Sequence, residues 1–214
     1  MVTPIIPDPD TVLAELTELR PLIYEALEVG TQAGRDHFAA TGAPFDPWLF
    51  AHLTRFYAKQ HLIRNGYPID DEDRHSLEQV AYSGLWLRFQ AKDRIYQIRI
   101  LKSALGDLPS PGSSKVKQNY YQQLPVGLTL RPEQEQLAVN LIVLWDVNGL
   151  HNLTDLSLVC PKDGDESYWF VPIPHPALSI PSQAMPAVDL DLPIERKETE
   201  EKDDDAKKTA AGTE

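Results

Sequence analysis

The stretch from Arg88 to Arg131 holds eight basic side chains, Arg88, Lys92, Arg94, Arg99, Lys102, Lys115, Lys117 and Arg131, against Asp93 and Asp107. It is a +6 segment inside a chain of formal charge −12. Aromatic residues are interleaved with it, Trp86 just before and Tyr120 and Tyr121 just after the two lysines. Cations beside aromatic rings hold anions by charge and by stacking. This composition points to an anionic partner, either an acidic protein surface or nucleic acid. Gly112-Ser113-Ser114-Lys115 adds backbone N–H groups at an expected helix start, which attracts anions, although it lacks the G-x-x-x-x-G-K-[ST] spacing of a phosphate loop. The expected binding set is therefore Trp86, Arg88, Arg99, Ser113, Ser114, Lys115, Lys117, Tyr120 and Tyr121. The same residues also admit a purely structural use. Cations on an outer sheet face block edge pairing, Arg99 can cover the Trp86 ring, and a serine after Pro-Gly is an ordinary helix cap.

Catalytic chemistry has fewer handles. If Asn148-Gly149 is the two-residue turn of a hairpin, Asp146 and His151 become cross-strand neighbours, and a carboxylate there orients an imidazole for base work. Asp155 falls on the same face. Acids on adjacent strands with Lys162 nearby suggest a metal-dependent nucleic-acid-processing enzyme, although the acid-x-Lys strand motif is missing. Asp146, His151 and Asp155 are the catalytic candidates. The sequence has no H-E-x-x-H, G-x-S-x-G or G-x-G-x-x-G, so neither a metal ligand set nor a cofactor is expected. His52 and His61, nine residues apart on one helix, point to opposite sides and cannot share a metal. Cys160, the one cysteine, falls on an apolar strand position and is expected to be a buried, inert thiol.

These side chains need elements to hold them. Asp8-Pro9 starts a first helix whose inner stripe is Val12, Leu16, Leu19, Ile23 and Ala26, with Pro21 kinking or restarting it. Asp46-Pro47 opens a second helix, and Asn65-Gly66 closes it. Its expected inner stripe is Leu49, Leu53, Phe56 and Ile63. A short third helix is expected from about Asp71 to Tyr82. The period then switches from 3.6 to 2. With Lys92-Asp93 as the turn, Leu85 faces Ile100, Leu87 faces Ile98 and Phe89 faces Tyr96, while Trp86 pairs with Arg99 and Arg88 with Gln97 on the outer face. The second hairpin, centred on Asn148-Gly149, would set Leu141 against Leu156, Val139 against Leu158 and Asn140 against Ser157. A short helix from about Lys115 to Leu124 lies between the hairpins, and Ser167 to Val171 is the last strand. The sum is an α+β fold: N-terminal helices on one face of a mainly antiparallel sheet of about five strands. Residues 1–176 form this domain, helical over 8–83 and sheet over 85–173.

Residues 177–214 read as a Pro-rich linker and a disordered tail. Its last twenty positions, 195–214, hold eight acids against five bases and no aromatic residue. The N-terminus shows no secretion signal, and the longest apolar run, Leu141 to Trp145, is far too short to span a bilayer. With a single cysteine, a reducing cytoplasm is expected and no membrane partner. The functional expectation is a non-catalytic cytoplasmic binding or regulatory protein that offers a basic, aromatic sheet face to an anionic partner. A self-assembling subunit is also considered, because Trp48 and Phe50 cannot both face inward, so that one of them is left for a homo-oligomeric contact.

Overall fold

In a computed structural model of the chain, the structure describes residues 6–67, 76–78, 85–91, 94–103, 107–124 and 137–175. All belong to one compact unit, Met1–Ile180. The expected linker and tail, like Lys92 and Arg131, lie outside the described residues.

Among the described residues, four helices and a mixed sheet make up the fold: α1 (Pro9–Glu15), α2 (Leu19–Thr41), α3 (Pro47–Arg64), β1 (Ser76–Glu78), β2 (Leu85–Ala91), β3 (Arg94–Lys102), α4 (Lys115–Tyr121), β4 (Ala138–Val147), β5 (Leu153–Asp163) and β6 (Glu166–Pro172). The six strands lie in chain order, antiparallel except for the parallel pair β3 and β4. A parallel pair needs a crossover, and the connection from Ser103 to Leu137 supplies it, with α4 on its way. The helix expected over 71–82 falls mostly outside the described residues. Within it, Ser76–Glu78 is extended and pairs with Trp86–Arg88, which corrects that expectation.

Local chemistry explains the helices. The Asp8 carboxylate accepts from the Thr11 N–H at 2.9 Å, and Pro9 occupies the first helical position. Val12, Leu16, Leu19, Ile23 and Ala26 are all buried, as their spacing requires. The chain breaks at Leu16–Glu18 and restarts just ahead of Pro21. Asp46 caps α3, accepting from Trp48 N at 2.8 Å and Leu49 N at 3.1 Å.

The inner stripe of α3 differs from the expected one. Phe50, Ala51, Thr54, Ala58 and Leu62 face inward, whereas Phe56 is exposed. Two glycines of α2 cause this. A Cβ at Gly30 would lie 2.3 Å from the Thr54 carbonyl oxygen, and one at Gly34 would lie 2.9 Å from the Phe50 ring. Only glycine allows so close an approach, and it draws the Phe50–Thr54 side of α3 onto α2. Leu49, Leu53 and Ile63 stay partly buried against the core.

The first hairpin has the expected register: Leu85 with Ile100, Leu87 with Ile98, Phe89 with Tyr96, Trp86 with Arg99 and Arg88 with Gln97. The second is displaced. Val143 pairs with Leu158, Trp145 with Leu156 and Asp146 with Asp155. The slip is even, so each side chain keeps its expected face. Asn148 causes it. Its side-chain oxygen accepts from the Leu150 and Asn152 N–H groups at 2.9 and 3.0 Å, and its carbonyl accepts from His151 N–H at 2.8 Å. Asn148 thus begins a longer loop rather than a two-residue turn, and His151 takes a left-handed φ of 60° to complete it.

One core lies between α1–α3 and the sheet. A second lies on the opposite sheet face, where Trp86, Leu101, Ile142, Leu144 and Val159 pack with Tyr120 and Tyr121 of α4.

Candidate functional site

The second core overturns the expected wet basic face. Trp86 and Arg88 are 6% and 3% exposed, and Tyr120 and Tyr121 are buried by turning inward from α4. The Arg99 guanidinium sits 5.3 Å from the Trp86 ring centroid, the covering role considered from sequence. Burial pulls the Arg99 pKa below its usual value and pushes that of Tyr120 well above it. The Tyr120 hydroxyl donates toward the Gln97 carbonyl at 2.6 Å. The physical reason is the parity of β4. Ile142 and Leu144 present apolar side chains to this face, so it must be covered.

The other described cations of this segment, Lys115, Lys117, Arg94 and Lys102, do not gather into one patch. Lys115, Lys117 and Ser113 are exposed on the outside of α4, while Ser114 is its half-buried cap residue without a side-chain cap bond. Arg94 pairs with Glu15 at 3.1 Å. Lys102 lies on the opposite sheet face, 6.0 Å from the Trp145 ring centroid.

The catalytic candidates are also rearranged. Asp146 and Asp155 are cross-strand partners, and with Ser103, Leu144, Trp145, Ser157 and Phe170 they line a cavity of about 260 Å³. His151 is not opposite Asp146, which corrects the expected pair. Its ring stacks on Phe45, centroids 3.7 Å apart and planes at 6°, and its carbonyl accepts from Arg35 Nη1 at 2.7 Å. Lys162 pairs with Glu166 at 3.1 Å. Among the described residues no three His, Cys, Asp or Glu side chains gather as metal ligands, and no helix is long and apolar enough to cross a membrane. Cys160 is fully buried, and burial pushes its thiol up to about 12.

Two groupings lie outside the sets of residues expected from sequence. At the β4–β5 loop, Arg35, Phe45, Phe50, Lys102, Trp145 and His151 come together. On α3, Trp48 is 71% exposed with its ring 4.1 Å from that of His52, and Phe56 is 56% exposed one turn further on. The α3 signal was legible in part: residues 47–64 contain Arg55, Lys59 and Arg64 and neither Asp nor Glu. Comparison with protein-family models, with curated proteins and with solved structures finds no match.

Proposed function

We propose that this is a non-catalytic binding or regulatory protein of the cytoplasm, and that it receives an acidic protein segment on the outward face of α3. One observation carries the reading: Trp48 is 71% exposed while Phe50, two positions on, is wholly buried. The inner positions of this helix are filled by its packing on α2, so Trp48, His52 and Phe56 have no place in the core. Tryptophan is enriched among the residues that dominate binding energy at interfaces. Lys59 and the exposed Arg64 on the same helix, with no acid in its sequence, supply the charge for an acidic partner. The chain's net charge of −12 opposes long polyanions more than a short acidic segment. The cytoplasmic setting rests on the single, buried Cys160.

The test is titration of the full chain with a synthetic peptide rich in Glu and Leu, read by acrylamide quenching of tryptophan fluorescence. Binding should shield Trp48, and Trp48→Ala and Phe56→Ala should each weaken it by about tenfold or more. A single-stranded oligonucleotide that bound more tightly, with a steep salt dependence, would assign the partner to nucleic acid instead. Self-association through Trp48, seen by light scattering and lost in Trp48→Ala, would favour a homo-oligomer.

A second reading, metal-dependent nucleic-acid processing, is favoured by the placement of Asp146 opposite Asp155 in the lining of a cavity. Incubation with labelled single- and double-stranded substrates and Mg²⁺ or Mn²⁺ tests it. Activity equal to that of the Asp146→Asn/Asp155→Asn variant would end it.

A further inference from the structure

We propose that the acidic partner received on α3 runs on past the start of that helix and seats on Leu150, at the tip of the β4–β5 loop. This inference rests on the partner surface proposed above and extends it to a second element. Leu150 is 75% exposed, and no large apolar side chain among the described residues is more so. A single exposed leucine on a surface would need no explanation. Here the loop is built to hold it out. The Asn148 side-chain oxygen accepts from the Leu150 N–H at 2.9 Å and from the Asn152 N–H at 3.0 Å. The Asn148 carbonyl accepts from the His151 N–H at 2.8 Å, and Arg35 Nη1 donates to the His151 carbonyl at 2.7 Å. His151 closes the loop at a φ of 60°, a conformation uncommon outside glycine. A side chain presented by so fixed a loop loses little freedom when a partner covers it.

Leu150 is joined to the α3 surface through two rings. That of its neighbour His151 stacks on Phe45, centroids 3.7 Å apart, and Phe45 is itself part-exposed. Three positions after Phe45 comes the exposed Trp48. Exposed apolar groups therefore run from Phe56 through Trp48 and Phe45 to the loop. At 1.5 Å per residue, the helix from Phe56 to Trp48 covers about 12 Å. An extended segment crosses that with about four residues, and a few more reach Leu150.

Charge selects the same partner at the loop as on α3. Arg35 and Lys102 are half-buried beside it, and neither pairs with a carboxylate among the described residues. Their nearness is seen in the His151 imidazole, held below its ordinary pKa by burial first and then by Lys102 and Arg35. The acids of this end have hydrogen bonds of their own: Asp36 accepts from Gln32 at 2.7 Å, Asp46 caps α3, and Asp146 accepts from the Val147 N–H at 2.8 Å. A segment with apolar residues for Phe56, Trp48 and Leu150 and carboxylates for Lys59, Lys102 and Arg35 fits the whole surface.

The experiment titrates the full chain, its leucine methyl groups labelled with carbon-13, with the peptide rich in Glu and Leu. NMR follows the Leu150 methyls, assigned by their loss in Leu150→Ser, and fluorescence quenching follows Trp48. The Leu150 methyls should shift saturably, with the same midpoint as the shielding of Trp48. Leu150→Ser should weaken the peptide by about fivefold or more. Lys102→Gln should weaken it too and flatten its salt dependence. Leu150 is exposed and Lys102 has no ion pair with a described residue, so both variants should melt like the parent. Shielding of Trp48 with the Leu150 methyls unmoved, and unchanged affinity in Leu150→Ser, would overturn the extension and leave the α3 surface standing. No binding to the parent chain would overturn both.

Discussion

Gln123 fills the gap that Pro161 leaves beside Asn140. Its Nε2 donates to the Asn140 carbonyl at 2.9 Å and to the Pro161 carbonyl at 2.8 Å, while its Oε1 accepts from the Asn140 N–H at 2.9 Å. Continuing the β4–β5 register would bring Pro161 opposite Asn140, and proline has no N–H for the ladder. Gln123 reaches this place from the end of α4 with a left-handed φ of 58°. In return, Asn140 Nδ2 donates to the Tyr120 and Leu124 carbonyls at 3.0 and 3.1 Å. The two amides thus fasten α4 to the sheet and seal the second core.

Replacing Gln123 with Ala should strand the Asn140 N–H and two carbonyls in a buried site. The expected loss is about 2–4 kcal/mol of stability, since each abandoned buried group costs about 1–3 kcal/mol and part of that is recovered by relaxation. Chemical denaturation measures it. A loss below about 0.5 kcal/mol would mean that α4 is not held this way.

The far sheet face makes a sharper contrast between two tryptophans. Trp86→Ala opens a cavity in the second core and should cost about 3–5 kcal/mol. Trp48→Ala removes an exposed ring and should change stability by less than about 0.5 kcal/mol. Equal costs by thermal or chemical unfolding would contradict the burial described here.

Gly30→Ala should destabilise by about 1–3 kcal/mol, because the added methyl meets the Thr54 backbone and forces α2 from α3. Gly149→Ala serves as the control, since a Cβ there meets nothing within 4 Å. The pair of melting curves reads the difference.

Acid should weaken the fold through its lowered histidines. Burial is the first cause for both His52 and His151, with Arg55 acting on the former and Lys102 and Arg35 on the latter. The unfolded chain then binds more protons than the folded one, so stability is full above the ordinary imidazole value of about 6.5 and is lost as pH falls toward the lowered folded values. His151→Asn, which tolerates the left-handed backbone, should flatten that part of the stability–pH curve. An unchanged slope would mean that His151 does not contribute to the acid sensitivity.

Much of this arrangement is legible in the residues. The alternation of Leu85 to Phe89 with Tyr96 to Ile100, joined by two residues, leaves a single register, and the structure adopts it. The α1–α2 stripe is equally plain, because a 4-3-4-3 spacing lines one helix face. Three features escaped for physical reasons. Asn148 spends its side chain holding a long loop, which moves Asp155 rather than His151 opposite Asp146. Gly30 and Gly34 set the rotation of α3 through a tertiary approach that no pattern within α3 reveals. The buried far face was readable in principle: Leu141 to Trp145 is apolar at both parities, and a strand of that kind is covered on both sides. The candidate site was read as charge along the sequence, and charge along the sequence does not say which cations a helix will bury.

Residue-resolved hydroxyl-radical footprinting of the full chain, free and with the acidic peptide, reads the outward face of α3 and the covered sheet face in one measurement. Trp48 and Phe56 should be oxidised readily in the free protein and protected in the complex, with Trp86, Tyr120 and Tyr121 silent throughout. Oxidation of Trp86 or Tyr120 at the rate of Trp48, or protection falling on Arg88 and Arg99 instead of α3, would contradict it.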